Sequence, residues 1–361
     1  MSALLTNLVN LSTYYYRLQA SNVDGTSITT NGTFSTKTWQ TITFGTLAAK
    51  TYGDAAFNLN GSASSGLAVS YASSDTNVAT ISSNRVTIRK AGTTTITASQ
   101  AGNSSFQAAV SVPQTLTINK KGLTVTAANQ SKTYGQTNPA LTFSYSGFIS
   151  GESAANLTTT PTTSTTATTG SSVGSYPITV AGGVSDNYSF NYVAGNLTIS
   201  AATLASTSIN LTPPASTSYS GSSIGYTADS AGVAGFTYSY QGRNGTSYGP
   251  SSTAPTAVGD YTVTVTSSDP NYTGSRSFNY TISKARLTPV FSGTTNRVWN
   301  GNPQSLSAST THSTTVNLTY NGGTSAPSNI GTHTVVATVA DANYEGSATN
   351  TLTITSPLNL S

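Results

Sequence analysis

The sequence contains no cysteine, a single methionine and two histidines, and only 7% of its 361 residues are charged. Each scarcity excludes something. Without Cys there are no disulfides, no thiolate metal sites and no Cys nucleophile. The two histidines, His312 and His333, both fall late in the chain, so an imidazole general base has no counterpart elsewhere. Abundant Ser does not make a Ser-His-Asp triad, which needs a positioned base and an orienting acid. Glu, Lys and Met are too rare for long helices, and no stretch carries apolar residues at helical spacing. No apolar run is long enough to span a bilayer. The opening MSALLTNLVNLS has no basic segment followed by an apolar core, so it does not read as a signal peptide. The expectation is that export is directed from elsewhere, or that the chain is a piece of a longer one. The net charge of +4 is spread along the whole length. The densest basic spots are Arg85, Arg89 and Lys90, and the pair Lys120 and Lys121. A nucleic-acid surface needs clustered cations, so none is expected.

What the sequence has instead is Ser, Thr, Tyr and Val, which favour strands, and one stretch used four times. The copies span residues 92–118, 174–199, 259–282 and 331–354. Each begins with glycine, continues as an alternating strand, turns, and ends in a second strand closing on Leu-Thr-Ile or Tyr-Thr-Ile. In the third copy Tyr261, Val263 and Val265 fall on one face, with Thr262 and Thr264 on the other. Phe278, Tyr280 and Ile282 are expected to face inward on the return strand. A two-stranded hairpin is marginal alone, so each copy closes a larger unit. The closing strands recur at about 80 residues, the size of a domain and not of a solenoid unit. The expected fold class is all-β: a linear array of antiparallel β-sandwiches with independent cores. Its junctions are short and are not Gly/Ser tracts.

An aromatic–glycine motif opens each unit: Tyr52 and Gly53, Tyr134 and Gly135, Tyr219 and Gly221, Trp299 and Gly301. Glycine permits a tight turn there, and the aromatic is expected at a domain end, packed under the closing hairpin. Tyr176, Tyr261 and His333 hold equivalent inward places in sister strands, so His333 is expected to pack. Asp186, Asp269 and Asp341, with Glu345, are the only weak metal candidates. Ca²⁺ usually takes six to eight oxygens, and an Asx-type turn explains the same residues. No catalytic residue and no cofactor are expected. Tyr238, Tyr240 and Tyr248 offer either sugar stacking or, with Tyr238 and Tyr240 on one strand face, core packing. Residues 158–169, rich in Thr, read as an edge strand blunted by Pro161, with a disordered or glycosylated loop as the alternative.

Three stretches resemble known families. LSTYYYRLQASNVDGTS, after Leu8, resembles the last strands of a fibronectin type III domain, which implies that Tyr14 forms a tyrosine corner and that 1–38 is part of a domain. SYASSDTNVATISSNRVTIRKAGTTTITASQAGNSSFQAA resembles bacterial immunoglobulin-like domains found in tandem on surface proteins. KTYG, GFISGE and VGSYPITV, in that order, are similar to the MBG domain of the YGX type. The expected segments are 1–38, fibronectin type III-like; 39–119, bacterial immunoglobulin-like; 120–200, MBG of the YGX type; and 201–284 and 285–361, MBG-like. The resemblance implies a non-enzymatic stalk or spacer of a secreted or cell-surface bacterial protein of the adhesin type. The alternatives are a carbohydrate-binding module array or an accessory region of a large extracellular hydrolase. Expected partners are neighbouring copies joined by strand addition, a surface polysaccharide or another cell-surface protein.

Overall fold

The computed structural model describes residues 5–28 and 31–357. The expected first and last segments therefore each include a few positions outside the described residues. Strands and connecting turns make up nearly all of the described residues, which also include two single-turn 3-10 helices at Ala154–Asn156 and Ser206–Ser208. Among the described residues, no helix is long and apolar enough to cross a membrane.

The described residues fall into two compact units. The first takes the chain through Ser131 with Asn138–Ala167 and Ser175–Thr198; the second takes Lys132–Thr137, Thr168–Gly174 and the chain from Ile199 on.

In the first unit, Gly92–Ser99 pairs antiparallel with Val112–Asn119 and with Ser70–Ser73, while Lys50–Thr51 joins Val112–Asn119 in parallel. The facing sheet has the order Ala79–Ser82, Arg85–Ile88, Phe57–Asn58. Alternation fills the space between: Ile96, Ala98, Leu116 and Ile118 are buried, and the Thr residues between them face outward or lie half-buried. Lys121–Ala127 then pairs antiparallel with Phe143–Ser146 and in parallel with Tyr188–Val193. Thr162–Thr165 pairs with Gly174–Ala181 at the edge of its sheet, so the middle of the Thr-rich stretch is an edge strand. The expected independent cores are corrected here. Leu123, Leu157 and Tyr188 belong to one continuous apolar cluster with Phe44, Val86, Ile96 and Leu116.

In the second unit, Phe236–Arg243, Gly259–Ser267 and Ser275–Ile282 form one sheet, with Gly259–Ser267 central. Tyr261, Val263, Val265, Tyr280 and Ile282 are buried there. Phe278 is not. It is 42% exposed, and its ring lies against Tyr226 at the margin of the core. Tyr240 is buried and Tyr238 and Tyr248 pack against the same cluster, so all three serve the core. The last sheet has the order Asn296–Val298, Ser347–Thr355, Gly331–Val339, Val316–Tyr320, around Leu306, Val335, Leu352 and Ile354. Short parallel pairs recur beside the antiparallel ladders: Ala202–Thr203 with Tyr272–Thr273, Ala285–Arg286 with Tyr344–Glu345, and Asn296–Val298 with Ser347–Thr355.

Gly346 shows what these parallel pairs demand. It sits at φ +152°, and a Cβ there would run into the Leu287 carbonyl oxygen. Leu287 in turn donates its N–H to Glu345 O at 2.8 Å. Gly346→Ala is expected to destabilise the chain by more than about 1 kcal/mol, because the native backbone does not suit an L side chain. Gly45→Ala, with open space around it, should stay within ~0.5 kcal/mol. Urea unfolding of the two variants checks this; equal losses would show that the Leu287 contact carries no cost.

Candidate functional site: the repeat junctions

Each aromatic–glycine motif begins with a backbone tie. The amides of Tyr52, Tyr134, Tyr219 and Trp299 donate to the carbonyls of Asn119, Ser200, Ser283 and Thr355 at 2.9, 2.8, 2.8 and 2.9 Å. These acceptors follow or end the closing strands, so the tie holds each aromatic at the end of its own hairpin. The glycines then reverse the chain: Gly53, Gly135, Gly221 and Gly301 have φ of +89°, +81°, +79° and +79°. At Gly53 the need is double, because a Cβ would also strike the Ile149 side chain.

The opposing element is the hairpin turn. In it one side chain caps the amide two residues on, as Asx and Ser turns do, and at Ser185 and Asp341 also the amide three residues on. Asp341 Oδ1 accepts from Asn343 N at 2.7 Å and from Tyr344 N at 3.1 Å. Asp269 Oδ1 accepts from Asn271 N at 2.9 Å, and its Oδ2 from Ala234 N at 3.0 Å. These backbone N–H groups hold the Asp269 carboxyl below the usual range. In the copy at 174–199 the cap is Ser185, whose Oγ accepts from Asn187 N and Tyr188 N at 3.2 Å. Asp186 therefore stands one residue after the cap, where the sister turns have Pro270 and Ala342. It is exposed and pairs with Lys90 at 2.9 Å, which lowers its pKa. Its expected equivalence with Asp269 and Asp341 is corrected. Glu345 lies 3.8 Å from Arg286. Among the described residues no three His, Cys, Asp or Glu side chains gather as a metal site would need.

The two elements meet, and not within one repeat as expected. Tyr52 packs edge-to-face on Tyr188, Tyr134 on Tyr272, and Tyr219 on Tyr344, with ring centroids 5.8, 5.3 and 5.2 Å apart at 85°, 78° and 86°. This is the geometry that the ring quadrupole favours. The opening aromatic of one repeat thus receives the turn tyrosine of the next. Beside it the turn Asn reaches across: Ala91 N, Val173 N and Val258 N donate to the Oδ1 of Asn187, Asn271 and Asn343 at 3.0, 2.9 and 3.3 Å. The connecting strand adds a third bond, from Lys121 N, Ala202 N and Ala285 N to the carbonyls of the same three Asn residues. Lys120 and Lys284 donate Nζ to Ser185 O and Asp341 O at 2.6 and 2.7 Å. Thr38 N makes the corresponding backbone bond to Ser105 O at 2.9 Å. Thr38 thus enters the first repeat as an isolated parallel bridge to Phe106.

The first junction has an added part. Glu152, from the GFISGE motif, accepts the Tyr52 hydroxyl at 2.6 Å on one oxygen and the Tyr188 hydroxyl on the other. Ile149 N donates to the Tyr188 oxygen at 3.1 Å. At the third junction the His312 ring lies 5.0 Å from that of Tyr344.

The remaining candidates belong to the hairpins. Tyr261 is buried and donates its hydroxyl to Ala257 O at 2.8 Å. His333 Nε2 lies 3.1 Å from Asn329 O, the corresponding carbonyl. Facing a carbonyl, Nε2 carries the proton, so Nδ1 accepts from Asn321 Nδ2 at 3.2 Å. Tyr176 is half-buried. In the N-terminal piece, Val9 N donates to the Tyr14 hydroxyl at 2.7 Å and the Tyr14 ring stacks on Phe34. Sequence reasoning placed Asn187, Asn271 and Asn343 in turns and Glu152 in the GFISGE motif, and missed the bonds they make across the junctions. The available signal was the Asn-Tyr pair, repeated three times at one phase.

Residues 123–198 match the MBG domain (YGX type), and residues 213–286 and 290–357 match the MBG domain. Residues 56–102 match the intimin immunoglobulin-like domain. The chain is thus built of tandem immunoglobulin-like and MBG repeats. No curated protein matches it. Among solved structures it is similar to Sidekick-1 immunoglobulin domains 1-5, at 12% identity and a TM-score of 0.24, covering 98% of this chain and 88% of that one. Drosophila N-cadherin EC1-4 follows at 10% identity and a TM-score of 0.19, covering 86% and 98%. The human desmocollin-1 ectodomain gives 9% and 0.23, covering 95% and 85%.

The Tyr52 phenol is pushed up to about 12, first by burial and then by its hydrogen bond to Glu152. Tyr188 shifts the same way. A folded pKa above the unfolded value of ~10 means stability that is full below pH ~10 and is lost as pH rises through about 12. Urea unfolding across that alkaline window should show a steep loss for the parent chain and a shallower one for Tyr52→Phe. Equal slopes would mean that the phenol is solvated.

Proposed function

We propose that this chain is a non-enzymatic structural spacer within a secreted or cell-surface bacterial protein of the adhesin type. The observation that carries this reading is the junction. Three successive repeats are fastened to their neighbours by the same ring pair, the same Asn bond and the same strand bond. Such repetition serves mechanical order, and it uses the side chains that a binding site would otherwise present. The match to MBG and intimin-type repeats supports a place outside the cell. Tyr238, Tyr240 and Tyr248, spent on packing, do not favour a sugar-binding platform. A spacer works by reach, so small-angle scattering should give a radius of gyration well above the ~21 Å of a compact globule of this length. A value near that figure rejects the spacer.

A specific observation also favours strand addition by a neighbouring copy. Among the described residues of the N-terminal piece, Thr13–Tyr16 pairs with Gly32–Ser35 alone, and Gln19–Asn22 with Gly25–Ile28 alone. Tyr15, Leu18, Val23 and Ile28 are exposed there. Added strands would cover that surface. Light scattering should then show mass rising with concentration; a monomer at every concentration rejects it.

A further inference from the structure

In the fourth repeat Trp299 holds the place of Tyr52, Tyr134 and Tyr219. Its amide makes the same tie, to Thr355 O, and Gly301 makes the same left-handed turn. Each of the three tyrosines carries a turn tyrosine from the next repeat. Trp299 is 43% exposed, and among the described residues no ring packs on it. Next to it Ile330, immediately before Gly331, stands where Ala91, Val173 and Val258 donate their amides to a turn Asn. Ile330 is 54% exposed.

We propose that Trp299 and the Ile330 amide form a docking socket for an immunoglobulin-like repeat of another polypeptide, one that presents a free Asx-x-Asn-Tyr turn. The tyrosine edge meets the indole face, and the Asn Oδ1 accepts from Ile330 N. The three internal junctions define this chemistry, and the socket stands whether or not the chain acts as a spacer.

The residues after Thr355 argue for an occupant that is not joined through the chain. At the internal junctions the connecting strand gives an N–H from Lys121, Ala202 or Ala285 to the Asn carbonyl, and twice a Lys to the turn. The corresponding residues here are Pro357 and Ser356. Proline has no N–H to give, while the cation is already absent from the second junction, where Ala201 holds that place. The covalent half of the junction is altered while the face half is kept. A second copy of this chain fits poorly. Its three Asn-Tyr turns are already seated, and its remaining turn, capped by Asn103, has Ser105 in the Asn place.

One hydrogen bond and one ring pair make a weak contact, so the test is read by NMR. The probe is a backbone-cyclised peptide with the sequence of residues 338–347 (TVADANYEGS), added at millimolar concentration to the full chain labelled with ¹⁵N. The Ile330 amide resonance should shift saturably. It should not shift with the Asn→Ala or Tyr→Ala peptide, nor in Trp299→Ala. Trp299→Tyr, the residue of the sister repeats, should retain the shift and guards against a folding defect in the alanine variant. An unmoved Ile330 amide, an equal shift with the Asn→Ala peptide, or loss of binding in Trp299→Tyr overturns the socket. A shift that appears on concentrating the chain alone would assign the face to a second copy and overturn the proposal as stated.

Discussion

The hydrogen bond from the amide of each opening aromatic to the carbonyl at the end of the closing strand is the constraint on which the repeats depend. It is a backbone bond, so the ring above it varies between Tyr and Trp without disturbing it. It fixes two things together. It completes the parallel pairing of the opening segment with the closing strand, seen at Lys50–Thr51 and at Asn296–Val298. It also sets the ring, in the first three repeats, against the turn of the next. The left-handed glycine that follows lets the chain leave without covering that ring.

The energies involved are individually small. A neutral hydrogen bond contributes about 1 kcal/mol net, and an aromatic pair about 0.5–1.5 kcal/mol beyond its buried area. A junction with one Asn bond, one strand bond and one ring pair therefore gains a few kcal/mol. That is enough to order neighbours that share a short connection, since little chain entropy remains to be lost there. Charge contributes little to these contacts. The Lys90–Asp186 and Arg286–Glu345 pairs are exposed, and such pairs are worth roughly 0–1 kcal/mol. Lys120 and Lys284 act as donors to carbonyls and not as members of ion pairs. A chain with so few charges builds its order from amides and rings, which salt screens weakly.

Much of the fold is legible in the sequence because its signals are local. The alternation of Tyr261, Val263 and Val265 states a strand with one buried face, and Gly53 and Gly135 mark turns that only glycine makes easily. The junction is not legible in the same way, because Tyr52 and Tyr188 belong to different repeats and nothing local in either announces the other. Comparison by residue identity also misleads. Asp186 looks like Asp269 and Asp341, yet Ser185 does their work, since a hydroxyl and a carboxylate both accept from the amide two residues on. Phe278 fails for another reason. Strand alternation gives the face but not how far the opposite layer extends over it, and the cover there ends at Tyr226.

The variable parts of the junctions bear on why the repeats occur in this order. Ring pair, Asn bond and strand bond are common to all three, so any of these turns would suit any of these opening aromatics in outline. The additions are particular. Glu152 ties two phenols that come from two repeats, and Ile149 both caps the Tyr188 hydroxyl and fills the space left by Gly53. Among the described residues neither has a counterpart around Tyr272 or Tyr344, where His312 instead lies against the tyrosine of the last turn. A carboxylate set between two buried phenols is satisfied only while both are present. Replacing either neighbour would leave Glu152 with an unmade bond in a partly buried place, at a cost of about 1–3 kcal/mol. The shared contacts thus make the repeats joinable, and the particular ones make the join between the first two repeats specific.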